Sequence, residues 1–156
     1  MRAIEVSVER SVLEDFKRRA KVAFPRETMA YLIGRDLGDR MSIEGLYVPM
    51  GQAVYCSALK VAIPPRWEDE AREHARGLGA AVIGDIHSHP RCYHEWKGQL
   101  SERTPSETDH KQGWAGLSGI CVVSEQRRGG LLASVCFYGP SLPVRIRILP
   151  HGYHKN

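Results

Sequence analysis

The stretch GAAVIGDIHSHP, residues 79–90, runs from an apolar segment into two histidines and a proline. The apolar part reads as a strand. On an extended chain successive side chains point to opposite faces, so His87 and His89 share one face. Two imidazoles placed this way can reach a single metal ion. Ser88 points to the other side, where its hydroxyl is expected to hold the metal loop by hydrogen bonds. Asp85 shares the face of His87. It reads equally as a hydrogen-bond partner for an imidazole N–H or as a solvated strand residue. A metal site needs more ligands than two, and a catalytic one needs a base.

Working outward, AIEVSV (3–8) alternates apolar and polar residues as a half-buried strand does. Ser11 then opens a helix. Ser11-x-x-Glu14 spells a capping box, and Val12, Leu13, Phe16, Ala20 and Ala23 keep helical spacing up to Pro25. TMAYLIGR (28–35) reads as a buried strand closed by Gly34. MSIEGLYVPM (41–50) is its neighbour after a turn at Leu37-Gly38-Asp39. A second helix starts at Pro64-Pro65 and runs through RWEDEAREHARGLG (66–79). It is acidic at the front and basic at the back, as the helix dipole favours, with Gly77 and Gly79 as stop signals. GLSGICVVS (116–124), LLASVCFYG (131–139) and VRIRIL (144–149) supply three more strands, with a turn at Arg127-Arg128-Gly129-Gly130 between the first two. This order predicts an α/β fold in which helices pack on a mixed sheet, without the strict alternation of a doubly wound domain.

The 156 residues suffice for one domain with its own core, expected over 1–150 with a tail at 151–156. No apolar run approaches the roughly 18–20 residues of a membrane helix. The N-terminus carries charge throughout, without a signal-peptide core, so the expected location is cytoplasmic and no membrane partner is expected. Cys56, Cys92, Cys121 and Cys136 form no CxxC pair. Cys121 and Cys136 read as small buried hydrophobes. The net charge is +4, but basic residues cluster only at Lys17-Arg18-Arg19 and Arg127-Arg128, with no aromatic platforms, so no nucleic-acid partner is expected.

Two further segments carry possible site residues. Ser106-x-x-Asp109 follows an irregular run, Arg91 to Pro105. Either Ser106 caps a helix whose positive end Asp109 favours, or Asp109 is a carboxylate ligand near the histidines. Glu27, in FPRETMAYLIG (24–34), is either a solvated turn residue or the base for a metal-activated water.

Taken together, Pro25-x-Glu27-x-x-Ala30-x-Leu32-x-Gly34, then Gly84-x-x-His87-Ser88-His89-Pro90, then Pro105-Ser106-x-x-Asp109 resemble the motif of the JAMM/MPN+ (JAB) zinc metallopeptidases. The resemblance runs from the first helix to the last strand, in the family's motif order. It looks most like the small stand-alone bacterial members. It implies a three-layer α-β-α sandwich around a curved mixed sheet, similar to the cytidine-deaminase fold. It implies one catalytic Zn2+ held by His87, His89 and Asp109, with Glu27 as general base and Ser106 holding the oxyanion. It implies hydrolysis beside the C-terminal glycines of a ubiquitin-like protein, by deconjugation or precursor processing, in a bacterial ubiquitination-like or antiphage system with E1- or E2-like enzymes. Processing of a sulfur-carrier protein is the neighbouring alternative. The substrate tail would lie along an exposed strand edge by β-augmentation.

One feature departs from the family pattern. The spacer from His89 to Ser106 is long, so Arg91 to Pro105 reads as an insertion beside the metal. It is either a substrate-holding flap or a break that leaves an inactive MPN-like scaffold. Cys92 and His94 inside it could begin a second metal site, although no full set of four ligands accompanies them. A zinc deaminase would need His-x-Glu and Pro-Cys-x-x-Cys, which this chain lacks.

Overall fold

The computed structural model describes residues 3–52, 63–91, 116–139 and 143–150. Strand β1 (Ile4–Glu9) buries Ile4, Val6 and Val8 and turns Glu5 and Ser7 away from that core. Helix α1 (Arg10–Ala23) follows without a connecting loop. Ser11 therefore lies inside the first turn and is not the cap. Glu9 is the last extended residue, and no side chain caps the helix. Glu9 is still paired with Leu149 in the sheet, so strand pairing, not a capping box, sets where the helix begins.

The remaining elements are β2 (Met29–Asp36), β3 (Arg40–Tyr47), α2 (Pro65–Gly77), β4 (Ala81–Arg91), β5 (Leu117–Glu125), β6 (Leu131–Tyr138) and β7 (Val144–Leu149). They form one mixed sheet in the order β6-β5-β4-β2-β3-β1-β7. β2 is antiparallel to both neighbours, β3 and β4. β4 runs parallel to β5, and β1 runs parallel to β3 and β7.

Helix α1 packs against β5 and β6 in one half of the sheet and against β1 and β3 in the other. The sheet thus curls around it. Leu13, Phe16 and Ala20 supply the buried stripe, against Val6, Val8, Leu32 and Ile86. Helix α2 lies on the opposite face, where Trp67, Ala71 and Ala75 cover Met29, Tyr31 and Ile33. β2 is buried on both sides because alternate residues serve different helices: Ala30 and Leu32 face α1, while Met29, Tyr31 and Ile33 face α2. That explains its unbroken apolar sequence. The mixed sheet with packed helices matches the expectation. The described residues give one helix on each face, less than the full outer layers of the expected sandwich. None of their helices is long and apolar enough to cross a membrane.

Two glycines sit where the backbones come closest. Gly34, expected to close β2, lies inside it beside a register shift, and a Cβ there would stand 1.8 Å from the Ser42 carbonyl oxygen. A Cβ on Gly84 would stand 1.9 Å from the Leu117 carbonyl oxygen. A second register shift makes Ile83 an extra residue of β4 opposite the step from Leu32 to Ile33. The shift sets the phase of β4: Ile86 and Ser88 face α1, whereas Asp85, His87 and His89 face α2.

Cys121 is fully buried, and burial pushes its thiol up to about 12, against a smaller opposing effect of Lys17 and Lys21. Cys136 is half-buried. Cys56 and Cys92 lie outside the described residues.

Two outcomes are expected. Gly84→Ala should lower stability by about 3 kcal/mol, the upper end of overpacking penalties, since the obstacle is backbone. Gly45→Ala, where an added Cβ meets nothing, should be near neutral. Urea unfolding of the two variants checks this. The raised thiol pKa should keep Cys121 unalkylated at pH 8 in the folded protein, by peptide mapping. Its contribution to stability is present below the unfolded value of 9.0 and is lost as pH rises from there towards about 12.

Candidate metal centre

The centre is built where β2 begins and β4 ends. Met29 pairs with His87 and Tyr31 with Asp85 across the antiparallel ladder. Directly opposed residues share a face, so both pairs project towards α2. His87 is 8% exposed and His89 is half-buried. Their rings lie 4.9 Å apart between centroids, tilted by 51°.

That spacing suits one metal ion. With a metal–nitrogen bond of about 2.0–2.1 Å, each ring centroid falls about 3.2 Å from the ion, and a tetrahedral angle then separates two centroids by about 5.2 Å. The observed separation is close to this, and a buried imidazole nitrogen, His87 Nε2, belongs to the pair. Two neutral nitrogens plus a carboxylate make a chemically sensible zinc set. Among the described residues no three His, Cys, Asp or Glu side chains come together. Asp109 and Ser106, the expected third ligand and oxyanion donor, lie outside the described residues. So do Cys92, His94 and the expected insertion, apart from Arg91, which is the last residue of β4.

Ser88, between the histidines, is 1% exposed and does what its position requires. Its N–H donates to the Thr28 carbonyl at 2.9 Å, and its Oγ accepts the Thr28 N–H at 2.9 Å. A side-chain oxygen thus stands in for a main-chain carbonyl at the last rung of the β2–β4 ladder. Glu27 is the next residue outward from Thr28. It is half-buried, and the chain reaches it through a cis peptide between Phe24 and Pro25.

The other edge of this corner is held by Gln52, which the sequence did not mark. Beyond Tyr47, β3 no longer pairs with β2, and the Met29 main chain would lose its partner on that side. The Gln52 amide replaces it. Gln52 Oε1 accepts the Met29 N–H and the Thr28 hydroxyl, each at 2.9 Å, and Gln52 Nε2 donates to the Met29 carbonyl at 2.8 Å. A lone glutamine after a Pro-Met-Gly turn carries no sequence signal for this role.

Carboxylates lie on the α2 side near Tyr31, with Glu68 paired to Arg72 at 2.8 Å. Tyr31 is buried, and its hydroxyl pKa is raised first by burial and then by the carboxylates of Glu68, Asp85 and Glu70.

A profile of the prokaryotic homologs of the JAB domain matches residues 9–133, which include Glu27, both histidines and Asp109. The chain belongs to the prokaryotic JAB domain family. Solved structures agree on the fold. A Desulfitobacterium hafniense protein determined in solution superposes with a TM-score of 0.61 at 18% identity, covering 97% of this chain and 99% of its own. A JAB1/MPN domain protein from Archaeoglobus fulgidus gives 0.52 at 20% identity, with 94% and 98% covered. No curated protein matches the sequence closely enough to be compared. Within this JAB domain the paired histidines thus occupy the end of a central strand.

Ser88→Ala should remove the acceptor for a buried N–H and lower stability by about 1–3 kcal/mol. Amide exchange at Thr28 should accelerate more than exchange in β5, as hydrogen–deuterium exchange would show.

Proposed function

We propose that this JAB domain is a zinc-dependent peptidase or isopeptidase acting after the C-terminal glycines of a ubiquitin-like protein. The observation that carries the reading is the His87–His89 pair, presented together on one face at metal-binding spacing. The family match over most of the chain supports it. His87, His89 and Asp109 would hold the zinc. When bound, zinc lowers the pKa of a water towards about 7 and polarises a carbonyl.

The chain's own residues supply the rest. Glu27 accepts the proton of the attacking water and later returns it to the leaving amine. The Ser106 hydroxyl donates a hydrogen bond to the substrate oxyanion. Ser88 and Gln52 hold the two sides of the Thr28–Met29 corner, so Glu27 starts from a fixed backbone. A tail of two glycines can approach this backbone closely, which bulkier residues cannot. Deconjugation and precursor processing both end in this same amide hydrolysis. A ubiquitination-like or antiphage system, with E1- or E2-like enzymes nearby, is the setting that fits a small prokaryotic JAB domain.

The test is cleavage of a ubiquitin-like protein fused to a reporter through its Gly-Gly tail. The wild-type protein with zinc should cleave it and a chelator should stop it. Glu27→Gln should keep its zinc while turnover falls about 10²–10⁴-fold. Wild-type turnover in Glu27→Gln would remove Glu27 from the role of base. A zinc-loaded wild type that cleaves no Gly-Gly fusion would replace the hydrolase with a binding scaffold.

A further inference from the structure

The cluster Lys17-Arg18-Arg19 does no work in the hydrolytic reading, yet the fold gives it a place. A cleft of about 490 Å³ opens between the C-terminal half of α1 and the segment Val48–Gln52. Among the described residues, Arg18, Arg19 and Arg26 line it, with Glu27 as the one carboxylate. Val22 and Val48 give it apolar surface. Val22 is 80% exposed, and Met50, between the lining residues Pro49 and Gln52, is 88% exposed. They are the two most exposed large hydrophobic side chains among the described residues; Val22 lines the cleft, and Met50 belongs to the segment that forms its other wall. A single exposed apolar residue means little, but apolar surface rimmed by charge marks an interaction site.

The bland explanation covers only part of this. Arg18 and Arg19 both pair with Asp15 on α1, Arg19 at 3.1 Å. Burial alone would raise the Asp15 pKa, but hydrogen bonds from Arg19 and Arg18 hold it below the usual carboxylate value. Such exposed pairs contribute at most about 1 kcal/mol, so their guanidinium groups can exchange partners. Arg26 lies beyond the helix and forms no ion pair with another described residue. Among the described residues the lining thus carries three cations against one carboxylate, and that carboxylate is Glu27.

We propose that this cleft binds an extended protein segment in which carboxylates alternate with apolar side chains, and leads it to Glu27. Planar guanidinium groups grip carboxylates in bidentate fashion, while Val22 and Val48 take the apolar side chains. The wall at Val48–Gln52 is fixed beforehand, because Gln52 donates to the Pro49 carbonyl at 3.2 Å while it holds Met29. A nucleic acid fits less well: among the described residues no aromatic ring lines the cleft, and Glu27 would repel phosphates. The inference rests on the hydrolase reading for what becomes of the segment, not for the binding itself.

The experiment uses the full chain with zinc and two short labelled peptides without glycine, one alternating Glu and Leu, the other Lys and Leu. Fluorescence anisotropy should show the Glu–Leu peptide binding at least about tenfold tighter, with affinity falling as salt rises. R18E/R26E should reverse the preference. Equal binding of the two peptides overturns the proposal. So does unchanged Glu–Leu binding in R18E/R26E folded by circular dichroism, or tighter binding of a single-stranded oligonucleotide. If R18E/R26E does not fold, Val22→Glu at its exposed position should weaken Glu–Leu binding about tenfold, and unchanged binding overturns the proposal. Peptide binding without cleavage of any Gly-Gly fusion removes the hydrolase reading alone. Cleavage without peptide binding removes this inference alone.

Discussion

The reciprocal pair of hydrogen bonds between Thr28 and Ser88 is the constraint on which the site depends. Both residues are buried, so their polar groups must be satisfied inside the protein. Ser88 does this with its main-chain N–H and its side-chain oxygen together, which pins that side chain inward. The pleat of the strand then fixes the rest. If Ser88 points to the α1 face, His87 and His89 must point to the α2 face, and a slip of one residue would exchange the two sets. The extra residue at Ile83 matters for the same reason, because it sets the phase in which β4 reaches Ser88.

Three segments distant in the chain converge on this corner: 24–29, 49–52 and 86–90. β4 closes one side of Thr28 and Met29 through main-chain pairing, and Gln52 closes the other with a side-chain amide that imitates a strand. Glu27 belongs to two features at once. It adjoins the Thr28–Ser88 junction beside the paired histidines, and it lines the basic cleft under α1. A base at that position would meet a substrate that enters along the cleft.

Much of this was legible in the sequence because it depends on period. Alternation gave β1, helical spacing gave the buried stripe of α1, and the i, i+2 placement of His87 and His89 gave their common face. The inward role of Ser88 followed from the same alternation. What escaped depends on contacts between distant segments. Ser11 spells a capping box but loses to the pairing of Glu9 with Leu149. Gly34 looks like a stop signal, yet it is needed because the Ser42 main chain passes too close for any Cβ. Gln52 has no local signature for this role, since the Met29 and Thr28 groups that it satisfies lie 23 and 24 residues away. The arginines of the cleft looked scattered because Arg26 joins Arg18 and Arg19 only after α1 ends.

The central claim is that His87 and His89 share one zinc ion with Asp109. Zinc content per chain, measured on the purified wild type, His87→Ala and Asp109→Ala, tests it most directly. The account predicts about one zinc in the wild type and much less in both variants. A wild type that takes up no zinc when it is supplied, or an Asp109→Ala variant that keeps it in full, would contradict the account.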